Sequence, residues 1–159
     1  MKMNSFFGQA AIAAFAGAAL FAAAPAFAQD ARPKITSSSF VEKTTTDAAG
    51  KKKVTLAPTT VVVPGDTVLF VHEYVNNTTA PAPGFIINNP LPAQVQYVGS
   101  TDANIIVSVD GGKTFGKLET LKVGDRAATG ADVTHVRWTF AQPIAVGQSG
   151  KVSFRGLLK

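Results

Sequence analysis

Val63-Pro64-Gly65-Asp66-Thr67-Val68-Leu69-Phe70-Val71-His72-Glu73-Tyr74-Val75 is the stretch that decides the fold class. Its first four residues spell a type II turn, in which proline sets φ at the second position and glycine supplies a positive φ at the third. After Asp66 the chain alternates: Val68, Phe70, His72 and Tyr74 point one way, Leu69, Val71 and Val75 the other. A period of two is a β-strand. Apolar residues on both sides imply a central strand covered on each face, or an inner face and a partly shielded outer one.

Outward from this strand the same period recurs. Val95 and Tyr97 share a face, as do Ile105, Val107 and Val109, and Val152 with Phe154 closes the chain. Val136, Trp138 and Phe140 line one side of another strand, which leaves Val133, His135 and Arg137 on the other. Turn residues fall roughly every eight to twelve positions, the spacing of a sandwich or barrel. No apolar period of 3.6 residues runs beyond a couple of turns after the first 28 residues. Phe70, Tyr74, Tyr97, Trp138 and Phe154 are the expected core between two sheets, since aromatic side chains bury the most apolar area.

The punctuation agrees. Asp110-Gly111-Gly112 is a hairpin signal, and Asp47-Ala48-Ala49-Gly50 closes an earlier hairpin more loosely. Thr79-Ala80-Pro81-Ala82-Pro83-Gly84 cannot donate a regular ladder and reads as a loop or a crossover between sheets. Asn89-Pro90-Leu91-Pro92 reads as a second proline-stiffened connection.

The N-terminus carries an address. Lys2 is followed by an apolar run from about Ala10 to Phe21, a break at Pro25 and the small-x-small signature Ala26-Phe27-Ala28. This is the pattern of a cleavable signal peptide over 1–28, cut between Ala28 and Gln29, too short for a stable membrane span. Residues 29–34 follow as a short, polar, mobile arm, and 35–159 form a single β-domain. The 131 residues after the leader bury roughly two-thirds of their unfolded surface, enough for a core without covalent staples. The chain has no cysteine, which excludes disulfides, thiolate metal sites, a cysteine nucleophile and a lipid anchor on cysteine. Both methionines, Met1 and Met3, lie in the leader. Losing Lys2 leaves 14 basic against 10 acidic residues, a net charge of +4. The densest cluster, Lys51-Lys52-Lys53, reads as a solvated flank that blunts a sheet edge; no aromatic residues interleave with it, which argues against nucleic acid.

Several motifs together carry a family resemblance. Pro64-Gly65-Asp66-Thr67-Val68, Tyr74-Val75-Asn76, Asn89-Pro90-Leu91-Pro92 leading to Val95-Gln96-Tyr97-Val98, Val136-Arg137-Trp138 and Gly147–Phe154 resemble the cell-envelope domain called domain of unknown function 11. The resemblance implies an all-β, immunoglobulin-like antiparallel β-sandwich of about seven to nine strands. It implies a structural or adhesive module of the bacterial envelope and carries no catalytic residues. The chain departs from the family's usual pattern at Asn76-Asn77-Thr78, where Asn-Thr-Gly is common, at Asn89, where aspartate is common, and in holding one copy of a domain often found in tandem.

Candidate chemistry has a structural reading at each point. Ser108-Val109-Asp110-Gly111-Gly112-Lys113-Thr114-Phe115 matches the Asp-box pattern of sialidase-type propellers. In that motif the aspartate ties a hairpin together and the aromatic packs beneath, while a propeller needs several blades. His72 and His135, the only histidines, could form a metal site with Glu73, Asp110 or Asp132, but they lie on different strands without an i, i+2 pair. Gly147-Gln148-Ser149-Gly150 lacks the frame of a nucleophile elbow and precedes a strand. Asp110 and Glu119 are one carboxylate pair among many. Lys43 is a conceivable isopeptide donor, although the last strand offers no asparagine, and Asn76 and Asn77 begin sequons that a bacterial leader makes incidental.

The expectation is therefore a non-enzymatic, exported protein of the periplasm or cell surface, without a cofactor, metal or nucleic-acid partner and without a membrane span once processed. Its loops Asn76–Gly84, Asp110–Lys117 and Gly124–Asp132 would contact an envelope or surface protein or polysaccharide. The alternative is a self-assembling surface or filament subunit, in which Ile35–Thr46 leaves its own sheet to complete a neighbour's. A periplasmic metal-binding protein is the minor alternative.

Overall fold

A computed structural model describes residues 32–159, so the expected leader and cleavage site lie outside the described residues. The strands are β1 (Lys34–Thr46), β2 (Lys52–Pro58), β3 (Thr67–Val75), β4 (Ile86–Pro90), β5 (Val95–Gly99), β6 (Ile105–Ser108), β7 (Lys122–Val123), β8 (Arg126–Ala127), β9 (His135–Thr139) and β10 (Ser149–Leu158). They form a five-stranded sheet in the order β2-β1-β3-β10-β5, a three-stranded sheet β4-β9-β6 and a small ribbon β7-β8, all antiparallel. The two larger sheets pack face to face as an all-β sandwich. The eight longer strands match the expected number, and the ribbon of two-residue strands, bent at Gly124 (φ 60°), brings the total among the described residues to ten.

The strand in the opening quotation behaves as its alternation dictates. Gly65 has φ 93° and Asp66 N–H donates to the Val63 carbonyl at 3.0 Å, which is the type II turn. Val68 and His72 are buried, Phe70 and Tyr74 half-buried. The core joins Ile87 of β4, Tyr97 of β5, Val107 of β6, Val136 and Trp138 of β9, and Val152 and Phe154 of β10. Phe70 stacks on Phe154 with ring centroids 4.7 Å apart, and Trp138 lies edge-on to His72 at 5.5 Å. Trp138 and Phe154 are wholly buried, each adding about 2–3 kcal/mol of apolar burial.

One polar side chain ties the sheets together. β5 leaves β10 at Gly99, so the Ser153 amide has no strand partner. Asp102 Oδ2 accepts from that amide and, at 3.2 Å, from the Trp138 indole N–H, while Ser100 Oγ donates to the Ser153 carbonyl. The side chains thus continue the ladder that the backbone abandons.

The structure corrects three local expectations. Val133 does not share the outer face of His135; it lies before β9, directly after a short 3-10 turn (Gly130–Asp132), outside the strand's alternation, and is buried in the core. Asn89 and Pro90 belong to β4, where Pro90 pairs with His135 at a free sheet edge, so the connection shrinks to 91–94. The 79–84 segment does carry the chain from one sheet to the other. Of the expected mobile arm 29–34, residues 29–31 lie outside the described residues, whereas Pro33 is buried and Lys34 already belongs to β1. β1 takes its place within its own sheet, as the main reading expects, paired with β3 over Lys34–Glu42 and with β2 over Phe40–Thr46.

Candidate functional site

The three loops expected to contact a partner lie at opposite ends of the sandwich. Strand register places Asn76–Gly84 with the start of β1 and the turn before β10, because Ala82 bridges Ile144 and the Gly147 amide donates to the Asn76 carbonyl. The Asp110 loop follows the far end of β6, where Ser108 pairs with His135, and Gly124–Asp132 joins it there. These ends are called here the Asn76 end and the Asp110 end.

The Asp110 end is occupied by its own hydrogen bonds. Asp110 accepts from the Lys113 and Thr114 amides at 3.0 Å and from the Ser108 and Thr114 hydroxyls at 2.7 Å. The Thr114 amide and hydroxyl lead the set of donors that holds its carboxyl well below the usual range. Val107 and Gly116 exchange backbone bonds of 2.8 and 3.0 Å, closing the hairpin signalled by Asp110-Gly111-Gly112. The aromatic of the motif, Phe115, carries the Arg137 guanidinium 3.4 Å above its ring and meets His135 edge-on. Asp132 is likewise spent: it takes Arg126 bidentately and caps Thr129, and the Arg126 contact leads the causes that depress its pKa. Glu119 sits apart, on a small hollow shared with Tyr97 and Ile105.

The two histidines are on different sheets. His135 faces outward against Phe115, while His72 is buried with Nδ1 2.8 Å from Ser37 Oγ and with Nε2 lacking a partner. Burial holds the His72 pKa below the ordinary imidazole value. No group of three histidine, aspartate or glutamate side chains arranged to hold a metal occurs among the described residues. Lys43 Nζ is paired with Asp66 Oδ1 at 3.0 Å in an exposed ion pair. Ser149 opens β10 directly after a turn with Gly147 at φ 77°.

The Asn76 end is built differently. The Asn76 side chain is fully buried, with its NH2 donating to the Ala80 and Ile144 carbonyls at 3.0 and 2.8 Å. Its Oδ1 accepts from the Thr78 amide and hydroxyl. Every hydrogen-bonding group of the amide is satisfied, which fixes the loop and leaves no free amide at the first sequon. Around this anchor, hollows open on both faces of the five-stranded sheet. On the inner side, a groove of about 440 Å³ runs between β1 and β4, with Ile35, Pro83, Phe85 and Ile86 as apolar walls and Arg32 at its mouth. On the outer side, a hollow of about 460 Å³ holds Glu73 between Lys34 and Lys151. Ile35 and Ile86 are 42% and 48% exposed, and β4 is an edge strand. The three-stranded sheet leaves this part of β1 uncovered, so apolar side chains, the open edge of β4 and Arg32 meet on the inner side, while Lys34 and Lys151 lie across the sheet on the outer side. Sequence reading named Asn76–Gly84 as a loop but missed Ile35, Ile86 and Lys151 as its neighbours, since only the strand order brings them there.

Comparison of the chain with protein-family models, with curated proteins and with solved structures gives no match, so the functional reading rests on this geometry.

Proposed function

We propose that the protein is a non-catalytic module of the bacterial envelope, exported by its leader, that holds a protein partner at the Asn76 end of an immunoglobulin-like sandwich. The observation that carries this reading is the β1–β4 groove beside the open edge of β4. An apolar floor beside a free strand edge suits an extended polypeptide, which adds backbone hydrogen bonds to β4 while its side chains enter the groove. Arg32 at the mouth of the groove favours a segment with an acidic residue there. The resemblance to domain of unknown function 11 supports the same envelope role.

The test is retention from envelope extracts on immobilised residues 29–159, compared between the parent chain, Ile86→Asp at the groove and Val123→Asp at the distant ribbon. Both sites are exposed, so the fold tolerates either change. A polypeptide retained by the parent and by Val123→Asp but lost with Ile86→Asp is the expected result. Equal retention on all three, or retention of polysaccharide alone, overturns the reading.

A further inference from the structure

The β1–β2 hairpin sits at the margin of the sandwich and contributes one wholly buried apolar side chain, Val41, which lies opposite Val68 of β3. Among the described residues, no side chain of β1 or β2 belongs to the main hydrophobic cluster or to the partly buried apolar residues packed on it. β2 packs principally on β1, and β1 reaches the rest of the chain through its ladder with β3. Two ion pairs add to that ladder, Arg155–Glu42 at 2.7 Å on the outer face and Lys43–Asp66 on the inner face. Without the hairpin, β3-β10-β5 faces β4-β9-β6, three strands on three, with the aromatic core intact.

The segment joining the hairpin to β3 is at odds with its own sequence. Thr59-Thr60-Val61-Val62-Val63 is five consecutive β-branched residues, the side chains best suited to an extended strand. In the closed chain this run must instead cross β1 to reach β3. It is fastened only near its ends, by the Thr59–Ser39 hydroxyl contact at 3.0 Å and by the turn at Asp66. Val61, Val62 and Val63 are left 75%, 38% and 53% exposed.

A separable element, a strand-favouring connection and a ladder that a second chain can reproduce bond for bond are the ingredients of segment exchange. We propose that the β1–β2 hairpin exchanges between two copies of this chain, each hairpin pairing with β3 of the other copy while Thr59–Val63 straightens into an extended hinge. In a two-fold dimer the two hinges run antiparallel, and the valines exposed in the closed chain cover one another. Both ion pairs and the Val41–Val68 pairing re-form between chains, and straightening the hinge gives up the Thr59–Ser39 hydroxyl contact. The inference does not depend on what binds at the Asn76 end.

The absence of cysteine makes the test direct. Ser38 lies opposite Val71 in the β1–β3 ladder. Ser38→Cys and Val71→Cys variants of residues 29–159 are unfolded together, refolded over a range of concentrations and oxidised, with each single variant and the double variant as controls. Exchange predicts a covalent dimer containing one chain of each variant, rising with concentration and several-fold above either variant alone. Replacing Val61 and Val62 by glycine lowers its yield several-fold. A mixture that gives no more dimer than the single variants, while the double variant closes within one chain, overturns the proposal. If the double variant does not close, light scattering on the refolded parent chain decides: a monomer alone up to the highest soluble concentration overturns exchange, and a discrete dimer supports it.

Discussion

The six-stranded body and the β1–β2 hairpin share one sheet and one kind of hydrogen bond, yet they are held by different forces. The body is ordered by burial, with Trp138 and Phe154 fully enclosed and Asp102 linking the two sheets across Trp138 and Ser153. The hairpin is ordered by a ladder, two ion pairs and the one buried side chain of Val41, with Val54 and Leu56 more than half exposed on its edge strand. Backbone bonds contribute modestly to net stability because water competes for them, whereas close-packed aromatic burial has no such competitor. Regular strand geometry is therefore no measure of how firmly a segment is held.

The comparison breaks first at the core. Trp138→Ala empties the centre of the body and leaves Asp102 without its indole donor; a loss of about 4 kcal/mol is expected, read from the denaturant midpoint. The corresponding change in the hairpin, Leu56→Ala, is expected to move that midpoint by no more than about 0.5 kcal/mol. Comparable losses at the two sites would remove the distinction. Asp102→Ala comes next. It leaves the Ser153 amide and the Trp138 N–H unsatisfied, for an expected cost of about 2–3 kcal/mol, with Trp138 fluorescence reporting the change around the indole.

Acid sharpens the contrast at a smaller scale. His72 is depressed by burial, so below the ordinary imidazole pKa the unfolded chain takes up a proton that the native chain resists. Stability is full above about pH 6.5 and falls as the pH drops toward the native value. His72→Phe is expected to flatten that slope between pH 6.5 and 5 in pH-dependent unfolding; an unchanged slope would place the titrating group elsewhere. Asp110 and Asp132 are depressed by the bonds they accept. Their contribution is full above the ordinary carboxylate range and is lost only at still lower pH, which separates the two effects. Smallest in energy, and most direct, is native-state hydrogen exchange. Amides of β2 should exchange through local opening well before those of Val152 and Phe154, which open only with the whole body; equal protection would make hairpin and body one cooperative unit.

Much of this architecture is legible in the residues. The alternation of Val68, Phe70, His72 and Tyr74, the Pro64-Gly65 turn and the Asp110 hairpin all appear where local chemistry puts them, because side-chain period and turn dihedrals are set within a few residues. Val133 escaped the same logic, since it borders a strand and owes its burial to a 3-10 turn. The loops were legible as loops but not as neighbours: which end of the sandwich each occupies depends on register between strands far apart in the chain.

Sequence by itself determined the all-β class, the aromatic residues of the core and the self-contained loop at Asp110, since each depends on local period, side-chain size or backbone preference. Only the tertiary structure decided that β1 lies between β2 and β3, that the hairpin stands outside the main aromatic cluster, and that Ile35 and Ile86 line one groove at the Asn76 end. Those relations arise from strand order and from which faces the second sheet is wide enough to cover, and no short window of residues encodes either.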